Sequence, residues 1–350
     1  MDFNNALSFS ELYKAANMCF RGILWKDTAI NWKFKCLENL TKLRKRLLNG
    51  TYNLKDYDVF HITHPKPRRI HATKLVDRIV QRSLCNNGLY ETMTKPLIYD
   101  NCACQVGKGP LFAIKRFKVH LSRYYRKTHS SDGYYLKLDI KNYFGSVPHD
   151  LLKKTITKYV SDENMKEQIF KVIDSYNQYF EYSEKYGHVG IGLGSQMCQL
   201  MMLLYLNDLD HYIKEKLRIK HYIRYMDDMI LIHQDKEYLQ KCLFEIKNIV
   251  EKYGLKLNKK SKIGKLSDGI EFLKIKFRIK KTGKIIYKLS RNSIRLELNK
   301  LTKLSKMFKE GKLSQRDFLV HLNSWSSYGK YRLSRKQYKI FNNHLEKLLC

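Results

Sequence analysis

Acidic residues are scarce in this chain: 33 Asp and Glu stand against 67 Lys and Arg in 350 residues, a net charge of +34. A compact fold with so few counter-charges repels itself unless a polyanion neutralises it, and nucleic acid is the obvious one. A lysine-rich composition set by the genome is compatible with the same figure. Paired cysteines are missing too. The eight cysteines include no C-x-x-C, and Cys102-x-Cys104 has no second pair at zinc-ribbon spacing, so reduced thiols are expected. The first residues lack the cationic and apolar regions of a signal peptide. The longest oily stretch, near Met201 to Leu206, is too short for a bilayer. No internal repeat or low-complexity linker interrupts the chain. These absences predict a cytoplasmic protein without a membrane partner. The 43% hydrophobic content suffices for a real core, and the length predicts two or three subdomains.

What is present converges on residues 221–232, His-Tyr-Ile-Arg-Tyr-Met-Asp-Asp-Met-Ile-Leu-Ile. Two β-rich apolar runs flank Asp227 and Asp228, which predicts a hairpin with acids at its tip. Neighbouring carboxylates raise each other's pKa, so a cation or a basic partner must offset them, and a divalent metal is the obvious candidate. Residues 134–144, Tyr-Tyr-Leu-Lys-Leu-Asp-Ile-Lys-Asn-Tyr-Phe, supply another carboxylate. Asp139 interrupts an apolar run where a buried strand should give way to a loop. Two acid-bearing strands of this kind can hold a two-metal centre for in-line phosphoryl transfer.

Asp139 with Tyr143-Phe144, followed by Tyr225-Met226-Asp227-Asp228, resembles motifs A and C of the reverse transcriptases. The resemblance implies an α+β fold of the right-hand polymerase type. Its parts would be fingers with N-terminal helices over residues 1–125, a palm with a small antiparallel sheet over 126–285 and a short, basic helical thumb over 286–350. It implies an RNA-directed DNA polymerase in which Asp139, Asp227 and Asp228 hold two Mg2+ ions, with Mn2+ as a substitute. The implied partners are an RNA template, a DNA or RNA primer and deoxynucleoside triphosphates.

Along the chain, Ser8 or Ser10 can cap a first helix, and Leu37, Leu40, Leu43, Leu47 and Leu48 form an apolar stripe ending at Asn49-Gly50. Lys42, Arg44, Lys45 and Arg46 crowd that helix, either as a solvated face or as a backbone contact for nucleic acid. Residues 57–71 alternate like a β-ribbon. The family's fingers ribbon carries a Lys and an Arg for the incoming triphosphate, and Lys66 with Arg69 (or Arg68) falls at that place. Leu75–Leu84 resembles the family's fingers-to-palm helix, with Asp77 and Arg78 as candidate locks. The loop at residues 101–110 offers Lys108 to a phosphate or template, and a basic helix follows over Leu111–Tyr125.

By the same resemblance Phe144 is the steric gate under the sugar, with core packing as the alternative. A helical region follows Pro148. Ser195 caps an apolar helix after a Gly-rich loop, as in motif B. Ser195-Gln196 replaces the Ser-Pro of retroviral and intron enzymes and matches enzymes of diversity-generating retroelements and several antiviral systems. The glycine expected four residues before the serine would fall at Ile191, between Gly190 and Gly192. Lys236–Tyr253 reads as an amphipathic helix. Lys260, next to Lys259 and Lys262, is the motif D candidate acid for departing pyrophosphate. Ile270–Ile275 resembles the primer-grip hairpin, with Lys274 where the family prefers Gly. From about residue 285 the chain reads as helical and basic, with 15 Lys and Arg against 4 acids and a stripe of Leu298, Leu301, Leu304 and Phe308. Trp325 and Tyr328 suit either core packing or base stacking.

The resemblance leaves no residues for an endonuclease, an RNase H or an intron-type DNA-binding domain, and the thumb region lacks the Val-Thr-Gly run of retrons. The expected setting is a stand-alone bacterial enzyme working on a dedicated non-coding RNA, in antiviral defence or in diversity generation. An accessory protein or a homo-oligomer is a candidate partner. A non-catalytic RNA-binding scaffold is the reading from another class.

Overall fold

The fold is that of a computed structural model, which describes residues 2–62, 67–176, 187–192, 194–329 and 332–349. In chain order its strands are β1 (Asp58–Ile62), β2 (Arg68–Ala72), β3 (Tyr134–Leu138), β4 (His221–Tyr225), β5 (Asp228–His233), β6 (Lys262–Lys265), β7 (Ile270–Phe272), β8 (Ile275–Ile279) and β9 (Ile285–Leu289). They form a ribbon β1-β2, a central sheet in the order β4-β5-β3-β6 and a sheet β7-β8-β9, with helices between them. This is a mixed α/β architecture with a sheet flanked by helices. No helix among the described residues is long and apolar enough to cross a membrane.

The chain divides into two compact units. The first comprises Met1–Gly109, Leu138–Ile230 and Lys241–Ser261. Its N-terminal helix Phe9–Phe20 starts at Ser8, whose Oγ accepts the Glu11 amide and satisfies one of the donors a helix start leaves open. The helix Cys36–Leu48 buries Leu40, Leu43 and Leu47, whereas Leu37 and Leu48 of the expected stripe are exposed. An apolar arc of that width is enough to seat a helix, and the two flanking leucines fall outside it. The ribbon forms as expected, with Phe60 opposite Ile70 and His61 opposite Arg69. In the helix Leu75–Leu84 the apolar side chains Ile79, Val80 and Leu84 are buried, and so is Asp77. The Tyr52 hydroxyl and the Lys55 amide both donate to that carboxylate, so Asp77 ties this helix to the segment around residues 52–55. The helix Gln196–Tyr205 is oily all round and nearly every side chain in it is buried, as a helix inside a core requires.

The second unit comprises Pro110–Lys137, Leu231–Gln240 and Lys262–Cys350. Here β3 pairs antiparallel with β6, Tyr134 opposite Lys265 and Leu136 opposite Ile263. The basic helix Pro110–Thr128 packs Phe117 against Phe272 and Phe277, at ring-centroid distances of 5.2 and 5.0 Å, and so holds the β7-β8-β9 sheet. The stretch from residue 285 is not helical at its start: Ile285–Leu289 forms β9, with Leu289 opposite Ile275 and Tyr287 opposite Phe277. Its partner β8 ends at Ile279, only five residues intervene, and Gly283, with a φ of +77°, lies in the short turn that joins the two strands. Three helices follow, Arg291–Lys309, Gln315–Gly329 and Arg335–Leu349. They share a core of Leu301, Phe318, Leu322 and Phe341, with Leu298, Leu304 and Trp325 packed on it. Trp325 stacks on Phe341 at 4.2 Å, which assigns it to packing. Phe308 stacks on Phe318 at the edge, and the Tyr328 side chain lies outside the described residues.

Candidate active site

The predicted hairpin is present. Its strands are apolar and buried, with Tyr222, Ile223, Met229, Ile230 and Leu231 at most 1% exposed, and Asp228 opens β5. Met226 and Asp227 form the turn. Met226 has a φ of +57°, a left-handed conformation in a residue without the freedom of glycine. Among the described residues Asp227 is not in that region, so the turn has the φ pattern of a type II′ hairpin, whose first position ordinarily calls for Gly. Both aspartates are half-buried.

Asp139 follows directly on the last residue of β3, at the strand-to-loop change the sequence indicated. Its main chain is clamped from both sides. The Asp139 carbonyl accepts the Asn258 amide at 2.7 Å, and its amide donates to Ser261 Oγ at 3.2 Å. Four residues on, the buried Tyr143 hydroxyl donates to the Met202 carbonyl at 2.5 Å. Burial foremost, with the charges of Asp210 and Asp227 adding to it against the pull of Arg224, keeps this phenol protonated. Phe144 is half-buried, its ring edge-on to Tyr143 at 5.8 Å.

The Gly-rich loop sits against the same segment. Ile191 donates to the Phe144 carbonyl at 2.8 Å, Gly190 to the Val147 carbonyl at 2.7 Å, and His149 to the His188 carbonyl at 3.0 Å. Gly190 has a φ of +92°, and a β-carbon there would stand 3.0 Å from the Gly145 carbonyl oxygen and 3.1 Å from the Tyr176 ring. The position that demands glycine is therefore 190 and not 191, and Ile191 is a buried side chain. Ser195 caps the following helix, its Oγ accepting the Cys198 amide at 3.0 Å. The Gln196 side-chain oxygen accepts from Arg82. Around this helix start lies a cavity of about 230 Å3 whose lining includes Arg21, Arg78, Gln81, Arg82, Ser195 and Gln196.

The family model described as Reverse transcriptase (RNA-dependent DNA polymerase) matches residues 29–277. The chain belongs to the reverse transcriptase family. A solved structure titled as apo telomerase from Candida tropicalis, truncated from its C-terminal domain, is similar with a TM-score of 0.50 at 13% identity. The match covers 71% of this chain and spans 60% of that structure, and at such identity it speaks for the fold alone. No curated protein matches the sequence.

Within this reverse transcriptase family the remaining expected site residues are placed as follows. Lys260 is exposed on a turn, its amide held at 3.1 Å by the side chain of Asn258, the same residue that clamps Asp139. Arg69 is exposed on β2, while Lys66 and the Arg68 side chain lie outside the described residues. Lys108 does not reach outward. Its ammonium donates to the carbonyls of Tyr99 and Asn101 at 3.1 and 3.0 Å and closes its own loop.

Asp139, Asp227 and Asp228 offer only carboxylate oxygens, the hard donor set that suits Mg2+ or Mn2+. Among the described residues no three His, Cys, Asp or Glu side chains are gathered closely enough to hold a metal ion. The fit is thus one of donor chemistry. Sequence reading missed the residues that hold the site from behind: Arg224, Asp210 and His149, all at most 3% exposed. A signal was present, since an Arg in an otherwise apolar strand is costly without a buried partner.

Proposed function

We propose that this chain is an RNA-directed DNA polymerase that adds deoxynucleotides to a primer by in-line nucleotidyl transfer. The observation that carries the reading is the hairpin tip: two adjacent aspartates that follow the left-handed Met226 and are rooted in buried strands. Asp139, Asp227 and Asp228 would hold two Mg2+ ions, which supply the Lewis acidity that activates the primer 3′-hydroxyl and stabilises charge on the transferred phosphate. Phe144 meets the sugar of the incoming nucleotide and excludes a 2′-hydroxyl. Arg69 on β2, together with Lys66, binds its triphosphate. Lys260, exposed on its turn, gives a proton to the departing pyrophosphate. Ser195 and Gln196 fix the start of the helix under the new base pair. The net charge of +34 suits a long RNA and its DNA copy.

The setting we favour is antiviral defence with a dedicated non-coding RNA as template. Ser195-Gln196 supports it and suits a diversity-generating retroelement equally. Neighbouring genes separate the two, because a template and variable repeat pair marks the second. The test of the chemistry is to express the chain with its native flanking DNA and sequence bound RNA and new DNA, beside an Asp227→Asn, Asp228→Asn control. DNA complementary to one bound RNA, lost in the control, is the expected result. Bound RNA without new DNA, together with no primer extension by purified protein in Mg2+, would replace the polymerase with an RNA-binding scaffold.

A further inference from the structure

A left-handed residue other than glycine persists only where its surroundings over-determine it, and such residues gather at functional sites. Met226 has surroundings of that kind. Arg224, two residues earlier on β4, is fully buried, and its guanidinium serves three acceptors in different directions. It donates to the Met226 carbonyl at 3.2 Å, to the Leu203 carbonyl on the apolar helix at 2.7 Å, and to Asp210 Oδ2, from Nε at 2.9 Å and from a terminal nitrogen at 2.7 Å. Asp210 is also fully buried, and its other oxygen accepts the Tyr222 hydroxyl at 2.6 Å. One residue before Leu203, the Met202 carbonyl takes the Tyr143 hydroxyl. The hairpin tip, the apolar helix and the segment after Asp139 are therefore joined through one planar cation and one phenol.

We propose that Arg224, locked by Asp210, is a positioning residue for the carboxylates at the hairpin tip: it fixes the Met226 peptide and with it the directions of Asp227 and Asp228. The inference rests on the polymerase reading above. Stability alone does not account for the pair. Withdrawing two ions from water costs several kcal/mol each, and apolar side chains of similar size commonly hold a core as well or better. What an apolar pair cannot do is hold three carbonyl and carboxylate groups at fixed angles. A lysine in place of Arg224 cannot either, because a point charge on a flexible stem lacks the fork of five donors. The arrangement resembles the outer hydrogen bonds that orient metal ligands, whose loss typically lowers metal affinity or activity by roughly 10–100-fold.

The test uses the full chain carrying Arg224→Met with Asp210→Leu, and separately Arg224→Lys. Three quantities are measured: the thermal midpoint, Mn2+ affinity by electron paramagnetic resonance titration against an Asp227→Asn reference, and kcat and KM on a primed RNA template. The apolar pair should still fold, though it leaves the Tyr222 hydroxyl and two carbonyls without these partners and melts lower for it. At temperatures where it is folded it should bind Mn2+ about tenfold to a hundredfold more weakly, with kcat lowered likewise and template KM unchanged. A folded double variant with parental Mn2+ affinity and kcat overturns the inference and leaves the polymerase standing. If the double variant does not fold, Arg224→Lys decides: it should show the same losses, and parental values in it overturn the inference. A parent chain without Asp227-dependent Mn2+ binding overturns both the inference and the polymerase reading.

Discussion

His149 donates through Nε2 to the carbonyl of Gly190 at 2.7 Å, which ties the helix His149–Tyr159 to the left-handed glycine of the Gly-rich loop. The ring is 3% exposed, and its Nδ1 faces the Asp174 carboxylate at 3.7 Å. Burial foremost, with the charges of His188 and Lys153 assisting, holds the imidazole below its ordinary 6.5, against the opposing pull of the Gly190 bond and Asp174. The folded state thus resists a proton that the unfolded state accepts. The associated stability is full above about pH 6.5 and is lost as pH falls from there through the folded pKa, with a slope of at most about 1.4 kcal/mol for each whole step in pH. Urea midpoints measured from pH 7.5 to 5.5 should fall, and in His149→Gln, which keeps a donor for Gly190 but does not titrate, that part of the slope should vanish. An unchanged slope in the variant would assign the acid sensitivity to other groups.

The Asp77 lock predicts a stability effect without a binding effect. Its carboxylate is fully buried and receives the Tyr52 hydroxyl and the Lys55 amide. Tyr52→Phe removes one donor from a buried acceptor and should cost about 1–3 kcal/mol in chemical denaturation. RNA affinity of the folded variant should match the parent. A loss of affinity at full occupancy of the folded state would show that the residue does more than hold this segment to its helix.

Much of the site was legible because its signals are local. The period-2 apolar runs around Asp227-Asp228, the strand that ends at Asp139 and the Ser195 cap each lie within a few residues of sequence. What stayed hidden depends on partners far along the chain. His149 and Gly190 are 41 residues apart and Arg224 and Asp210 are 14, whereas β9 is a local matter, a hairpin arm separated from its partner β8 by five residues. Lys108 differs from its expected place for a related reason: a cation in a basic chain reads as available, and the carbonyls of Tyr99 and Asn101 that hold it carry no signal in the sequence.

Phe144 offers a prediction about substrate. It is half-buried, braced by Tyr143 from the side, and its carbonyl is held by Ile191, so its main chain should survive a smaller side chain. On the proposed polymerase reading, Phe144→Val opens room beside the sugar of the incoming nucleotide. Discrimination against ribonucleotides, read as the ratio of kcat/KM values for dNTP and rNTP, should fall by about tenfold to a hundredfold, the scale on which pockets sort small differences in size. An unchanged ratio with reduced stability would make Phe144 a packing residue.

The turn between β7 and β8 sets stability against binding at a single residue. Phe272 and Ile275 pair directly, leaving Leu273 and Lys274 as a two-residue loop with φ of +49° and +65°. Both central residues are left-handed, the type I′ pattern in which the second position favours Gly. A non-glycine residue there costs roughly 1–2 kcal/mol. Lys274→Gly should therefore raise the denaturation midpoint by an equivalent of about 1 kcal/mol. If Lys274 is kept in spite of that cost because it contacts a phosphate of the primer strand, the same variant should bind a primed template more weakly, and the slope of log Kd against log salt should drop by about one. A stabilised variant with the parental salt slope would leave the lysine without a role in gripping the primer.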